Sequence, residues 1–133
     1  QVISLSGPTL DGKRFELDAY RGRIVLIQYW STWCEPCKNA MPLLKELQRK
    51  YGDSLRVIGI CLDQDKKDAV DFLAENPLPW PQVFEPGGLD SPQADAMGIL
   101  TLPTNLLIDP SGKVVSRNLP VDQLETELKK LMQ

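Results

Sequence analysis

The chain has 133 residues, of which 42% are hydrophobic and 25% charged, with a formal net charge of −3. These values fit a single soluble domain over residues 1–133 with enough apolar content for a core. No basic stretch stands out, so nucleic-acid binding has little support. No apolar run approaches the ~20 residues that span a bilayer. The chain has no histidine, which removes Ser-His and Cys-His catalysis and the usual His-containing metal sites. Gln1 opens the chain without a Met or a signal-like segment, as in a mature form or an excised domain of a longer protein.

Gln1 to Leu17 forms a leading arm, with an Asp-Gly turn signal at Leu10-Asp11-Gly12-Lys13 and a short extended piece from Arg14 to Leu17. Ile24 to Trp30 is apolar and branched, with Gln28 its one polar member, and predicts a buried strand. A helix begins after Cys34 and runs through Leu43, Leu44, Leu47 and Tyr51, which form its apolar face. Pro42 should kink it and Gly52 should stop it. Leu55 to Leu62 predicts a second buried strand, and Lys66 to Glu75 an amphipathic helix with Val70, Leu73 and Ala74 inward. Pro77 to Pro92 is rich in proline and holds a short strand around Gln82 to Glu85. Ser91 to Met97 reads as a short helix stopped by Gly98. Thr104–Ile108 and Lys113–Arg117 are strands joined by the turn Asp109-Pro110-Ser111-Gly112. Val121, Leu124, Leu128 and Leu131 stripe a final helix. The order strand-helix-strand-helix, hairpin, helix implies an α/β fold with a mixed central sheet and helices on both faces.

The chemistry concentrates at Trp33-Cys34-Glu35-Pro36-Cys37. Two cysteines two residues apart, between a strand and a helix, suit a dithiol that closes into a disulfide and exchanges with a partner's sulfurs. The unpaired N–H groups and positive dipole at a helix start favour the thiolate, which is the nucleophile. A structural disulfide or an incidental pair is the alternative. One Cys-x-x-Cys offers only half of a four-cysteine zinc site, and three cysteines cannot form a disulfide scaffold. Cys61 reads as a small core residue on a buried strand, with a regulatory thiol as the alternative. Trp30 reads as core. Trp80 reads as a loop anchor on the sheet, or else a partner contact. The acidic cluster Asp63, Asp65 and Asp68 lacks the glycine and terminal glutamate of a calcium loop, so it reads as a solvated helix start.

Four stretches together resemble the thioredoxin superfamily, and within it the TlpA/ResA-like branch of extracytoplasmic thiol-disulfide oxidoreductases. They are the strand and turn from Ile24 to Lys38; Pro42 inside the helix; Leu102-Pro103-Thr104 with the following hairpin; and the leader from Leu10 to Gly22. The resemblance implies a thioredoxin-like three-layer sandwich with an N-terminal hairpin extension. It implies Cys34 as the attacking thiolate, Cys37 as the buried resolving thiol, and a cis Pro103 that frees a neighbouring main-chain group to pair with a partner peptide. Trp33 would cover the dithiol and offer an apolar surface, and Pro36 fits the first helical turn. Leu102 and Glu35 complete the expected support of the site. Protein thiols and disulfides would be the substrates, with no cofactor and no metal. A membrane electron donor, a monomeric state and a location in the periplasm or cell envelope are further expectations of the branch.

The chain departs from the pattern at two acidic positions. Thioredoxins usually bury an aspartate six residues before the first cysteine, where Gln28 stands. Some ResA-like proteins place a glutamate three residues after the second, where Ala40 stands. Gln28 reads as a satisfied buried amide, or as a residue that hydrates the resolving thiol. Glu35, between the cysteines, opposes thiolate formation while the helix end favours it. Two rivals follow. One is a thiol peroxidase, against which stand the Cys-Glu-Pro-Cys spacing and Ser31 where those enzymes carry threonine. The other is a non-catalytic redox-sensing or docking domain.

Overall fold

The two branched runs of the sequence lie side by side at the centre of the computed structural model, which describes residues 5–84, 102 and 104–132. They are β3, Ile24–Trp30, and β4, Leu55–Cys61, and they pair in parallel from Ile24↔Leu55 to Trp30↔Cys61. All seven residues of β3 are buried, as expected of a strand covered on both faces. Ahead of them β1, Ser6–Pro8, and β2, Arg14–Glu16, form an antiparallel hairpin, followed by a 3-10 turn at Leu17–Tyr20. The connection from β3 to β4 is α1, Glu35–Tyr51, and α2, Lys66–Glu75, leads from β4 to the edge strand β5, Gln82–Phe84. On the other side of β3, the strand β6, Thr104–Ile108, runs antiparallel to it and turns into β7, Val114–Arg117. The last helix is α3, Val121–Leu131. The sheet order is β5-β4-β3-β6-β7, a mixed five-stranded sheet flanked by helices, as the sequence predicts.

Alternation along β3 divides the core. Val25, Ile27 and Tyr29 join Ile58, Ile60, Val83, Leu106 and Ile108, and this face is covered by Phe15 and Leu17 of the leading arm. Ile24 and Leu26 point the other way, onto Leu44 and Leu47 of α1, Leu124 and Leu128 of α3, and Trp80. Trp80 is therefore the loop anchor. The helix expected at Ser91–Met97 lies outside the described residues, as does Pro103.

Two helix faces differ from the sequence reading. In α1 the buried residues are Cys37, Met41, Leu44 and Leu47, while Leu43 is 54% exposed. Steps of three and four residues from Cys37 pass over Leu43, which lies about a quarter-turn away. In α2 the buried residue is Ala69, with Phe72 and Leu73 half-buried, while Val70 and Ala74 face solvent. The inward face is one residue out of step because Phe72 packs on Trp30, with ring centroids 5.5 Å apart. Helix α1 runs unbroken through Pro42 and stops at Gly52, whose φ of 54° is one that glycine adopts freely.

Candidate active site

The first turn of α1 begins at the C-terminal end of β3, where the chain leaves the sheet. Cys34 is the N-cap of the helix, with extended backbone, and its Sγ accepts from the Cys37 N–H at 3.3 Å. A sulfur thus takes one of the N–H groups that a helix start leaves unpaired. Pro36 occupies the first turn, where its missing N–H costs nothing. Cys34 and Cys37 are joined as a disulfide, with Cα atoms 5.3 Å apart. Cys34 is 4% exposed and Cys37 is fully buried, so a partner can reach the pair only at Cys34. Cys37 Sγ lies 3.8 Å from the Tyr29 carbonyl oxygen, where a reduced thiol can donate.

The sulfurs sit in an apolar cluster of Trp30, Met41, Cys61 and Ala69, against which Leu102 and Phe72 also pack. Trp30 is held by its indole N–H, which donates to Gln82 Oε1 at 2.9 Å. That bond needs Gly59 on the intervening strand, because a Cβ there would collide with the Gln82 amide. Trp33, by contrast, is 61% exposed. It stands beside the dithiol as a surface and does not bury it, which corrects the expected cover. Among the described residues the covering falls to Met41 and Trp30 from within.

Glu35 projects into solvent and pairs with Lys38 at 3.0 Å, so a cation accompanies its charge next to Cys34. The Lys38 ammonium also lies 5.7 Å from the Phe72 ring centre. Gln28 is buried, and its Nε2 donates to the Cys37 carbonyl at 3.0 Å. Its Oε1 has no partner among the described residues, so the amide is half satisfied, not fully as the sequence reading had it. Gln28 pairs across the sheet with Asn105, whose Nδ2 donates to the Leu119 carbonyl at 2.9 Å and whose Oδ1 is likewise unpartnered. Both residues line a cavity of about 280 Å³ together with Pro36, Ala40, Thr104 and Leu119. Ala40 contributes only a methyl wall. Asn105 was missed in the sequence because a lone amide on a strand carries no signal until its cross-strand neighbour is known.

Asp63 is buried, in contrast to the solvated helix start that the sequence predicts. It is 1% exposed, and its Oδ1 accepts from the Thr32 N–H at 2.9 Å. The chain folds it inward because Leu62 N–H donates to the Trp30 carbonyl and extends the strand ladder toward the Ser31–Trp33 loop. Asp65 does begin a helix, its carboxylate accepting from Lys67 N–H at 2.9 Å. Cys61 is fully buried and free, and burial above all pushes its thiol from 9.0 up to about 12. Among the described residues no group of three or more Cys, Asp or Glu is arranged to hold a metal ion, and no helix is long and apolar enough to cross a membrane.

A mixed sheet with a Cys-x-x-Cys capping the helix that follows its central strand defines a thioredoxin-fold protein with a redox-capable dithiol. The family model described as AhpC/TSA matches residues 1–117, and the chain belongs to that family. It is 36% identical over 127 residues to the thiol-disulfide oxidoreductase ResA of Bacillus thuringiensis subsp. konkukian, covering 92% of this chain and 71% of that protein. The fold superposes on a thiol-disulfide oxidoreductase from Bacteroides fragilis with a TM-score of 0.87, at 34% identity and 98% coverage of both chains. A candidate thiol:disulfide interchange protein DsbE from Chlorobium tepidum gives 0.89, at 28% identity over 100% of this chain and 96% of that one.

Proposed function

We propose that residues 1–133 form a single-domain, monomeric thiol-disulfide oxidoreductase that reduces disulfides of protein substrates outside the cytoplasm. The observation that carries this reading is the position of the dithiol: Cys34 caps a helix and holds the pair's only exposed edge, while Cys37 is enclosed behind it. In the reduced protein the Cys34 thiolate attacks one sulfur of a partner disulfide. A mixed disulfide forms, and the partner's other sulfur leaves as a thiolate and takes a proton. The Cys37 thiol then loses its proton and attacks Cys34 Sγ. The second partner thiol is released, and two electrons have passed to the partner. A membrane electron donor returns the Cys34–Cys37 disulfide to the dithiol.

Trp33 would supply the apolar contact for an unfolded or extended partner segment, and Leu102, packed against the cluster around the sulfurs, would border the same edge. The likeness to ResA and to the Bacteroides oxidoreductase supports the activity and, more loosely, the location in the cell envelope. No cofactor enters the scheme. Reduction of insulin disulfides by the protein with dithiothreitol tests it. Turnover that disappears in Cys34→Ser is the expected result. Rapid turnover of hydrogen peroxide in place of disulfides would favour the thiol peroxidase, and turnover of neither would favour a sensing or docking domain.

A further inference from the structure

The loop that delivers Cys34 is fastened from the neighbouring strand by a buried carboxylate. Asp63 follows the end of β4, is 1% exposed, and takes the Thr32 N–H on its Oδ1 at 2.9 Å. Thr32 stands two residues before Cys34, whose own N–H donates to the Ser31 carbonyl at 3.2 Å. The Asp63 bond and the Ser31–Cys34 turn thus act on the same four residues. Asp63 Oδ2 and the fully buried Ser31 Oγ accept no well-formed hydrogen bond from the described residues. No cation pairs with Asp63 among them.

A buried carboxylate that holds one backbone N–H and the neighbouring Cys61 thiol, with no cation beside it among the described residues, is costly. Asparagine at this position could accept the same hydrogen bond through its amide oxygen and would bury no charge. The geometry of the loop alone therefore does not account for a carboxylate. What a carboxylate adds is a negative charge on the residue that holds the loop two positions before Cys34.

We propose that Asp63 is a positioning residue that also sets the redox balance of the Cys34–Cys37 pair: it pins the loop at Thr32 and its charge disfavours the Cys34 thiolate, making the disulfide harder to reduce and the dithiol a stronger reductant. The inference rests on the proposed exchange activity of that pair. Cys61 is a nearby witness to the charge. After burial, the charge and hydrogen bonding of the Asp63 side chain add to what holds that thiol protonated, against an opposing bond from the Asp63 backbone. Among the described residues, the other charged groups of α1 and α2 near this region offset one another or lie in solvent. Glu35 and Lys38 of α1 pair together, and Lys67 of α2 pairs with Asp71. Asp65, Lys66 and Asp68 at the start of α2 are exposed.

The test is equilibration of the whole chain with glutathione. Two glutathione thiols reduce the Cys34–Cys37 disulfide to two thiols and leave as one glutathione disulfide, so atoms, two electrons and two protons balance. Asp63→Asn keeps the acceptor for Thr32 and removes the charge. It is expected to shift the equilibrium toward the dithiol by threefold or more at pH 7, about 14 mV at ~30 mV per tenfold. It should also move the pH profile of Cys34 alkylation to lower pH. Asp63→Glu, which keeps the charge, should stay close to wild type in both readouts. Asp63→Ser gives a second neutral variant if the asparagine protein does not fold. An unchanged equilibrium and an unchanged alkylation profile in a folded neutral variant would leave Asp63 merely structural and overturn the inference. Absence of any reversible couple in the wild type would instead overturn the proposed exchange activity itself.

Discussion

Cys34 and Cys61 lie in the same apolar cluster around Trp30 and Met41, yet the backbone gives them opposite chemistry. Cys34 stands where a strand has ended and a helix has begun, so N–H groups are free to face its sulfur. Cys61 is the last residue of β4, paired in register with both Trp30 and Phe84, and no helix starts at its sulfur. Burial is the largest influence on Cys61 and, with the Asp63 side chain, holds it as a thiol against one opposing backbone bond from Asp63, whereas at Cys34 a helix start favours the thiolate. The two sulfurs share their apolar neighbours and differ in that a helix start faces only Cys34.

The sharpest way to break this contrast is to remove each sulfur in turn. Cys34→Ser should lower insulin reduction by about a thousandfold or more, since the nucleophile itself is lost. Cys37→Ser should keep the first attack and accumulate a mixed disulfide with substrate, visible by mass spectrometry as a stoichiometric adduct. If Cys37→Ser instead turned over normally, the two sulfurs would not divide the work as described.

Gln28→Leu probes the next largest effect. It removes the side-chain donor to the Cys37 carbonyl, which keeps its helical partner in α1, and should cost about 0.5–1.5 kcal/mol in urea unfolding, the net worth of one buried hydrogen bond. Wild-type stability would mean that the cavity beside it satisfies the carbonyl by another route. Trp33→Ala should slow exchange with protein disulfides by about three- to tenfold while leaving exchange with a small disulfide reagent unchanged, as expected of an exposed contact residue. Equal loss with both substrates would show that Trp33 shapes the dithiol itself.

Cys61→Ala should have the smallest effect on exchange, within about twofold of wild type. Its signature is in pH. Cys61 titrates near 12 when folded and near 9.0 when unfolded, so above pH 9 the unfolded chain loses this proton first. The contribution of Cys61 to stability is intact below pH 9 and falls by ~1.4 kcal/mol per pH unit from there toward pH 12. The alanine variant should lack that part of the alkaline decline, and urea unfolding at a series of pH values would reveal it.

Most of the frame was legible from sequence where a run had one dominant signal. Ile24–Trp30 carries branched residues over a full strand length, and the turn Asp109-Pro110-Ser111-Gly112 allows little besides a hairpin. The helix start at Cys34 followed from Pro36 and the preceding strand. What failed were features decided by packing between elements. Leu43 and Val70 look inward on hydrophobicity alone, but the faces are set by Cys37 and Met41 on α1 and by Phe72 on α2. Asp63 among three aspartates looks solvated. Only the docking of the Ser31–Trp33 loop on the end of β4 gives it a donor and takes it out of water. Asn105 became part of the site only through its register with Gln28.

The central claim is that Cys34 and Cys37 form a reversible couple poised to reduce protein disulfides. Its most direct test is the reduction potential of the pair, measured by equilibration with glutathione and dithiothreitol, with Cys34→Ser as the control. A single two-electron couple at about −270 mV or lower, absent in the control, is the expected result. A couple near −120 mV would contradict it and assign the protein to disulfide formation, and a couple that survived loss of Cys34 would remove this pair from the chemistry altogether.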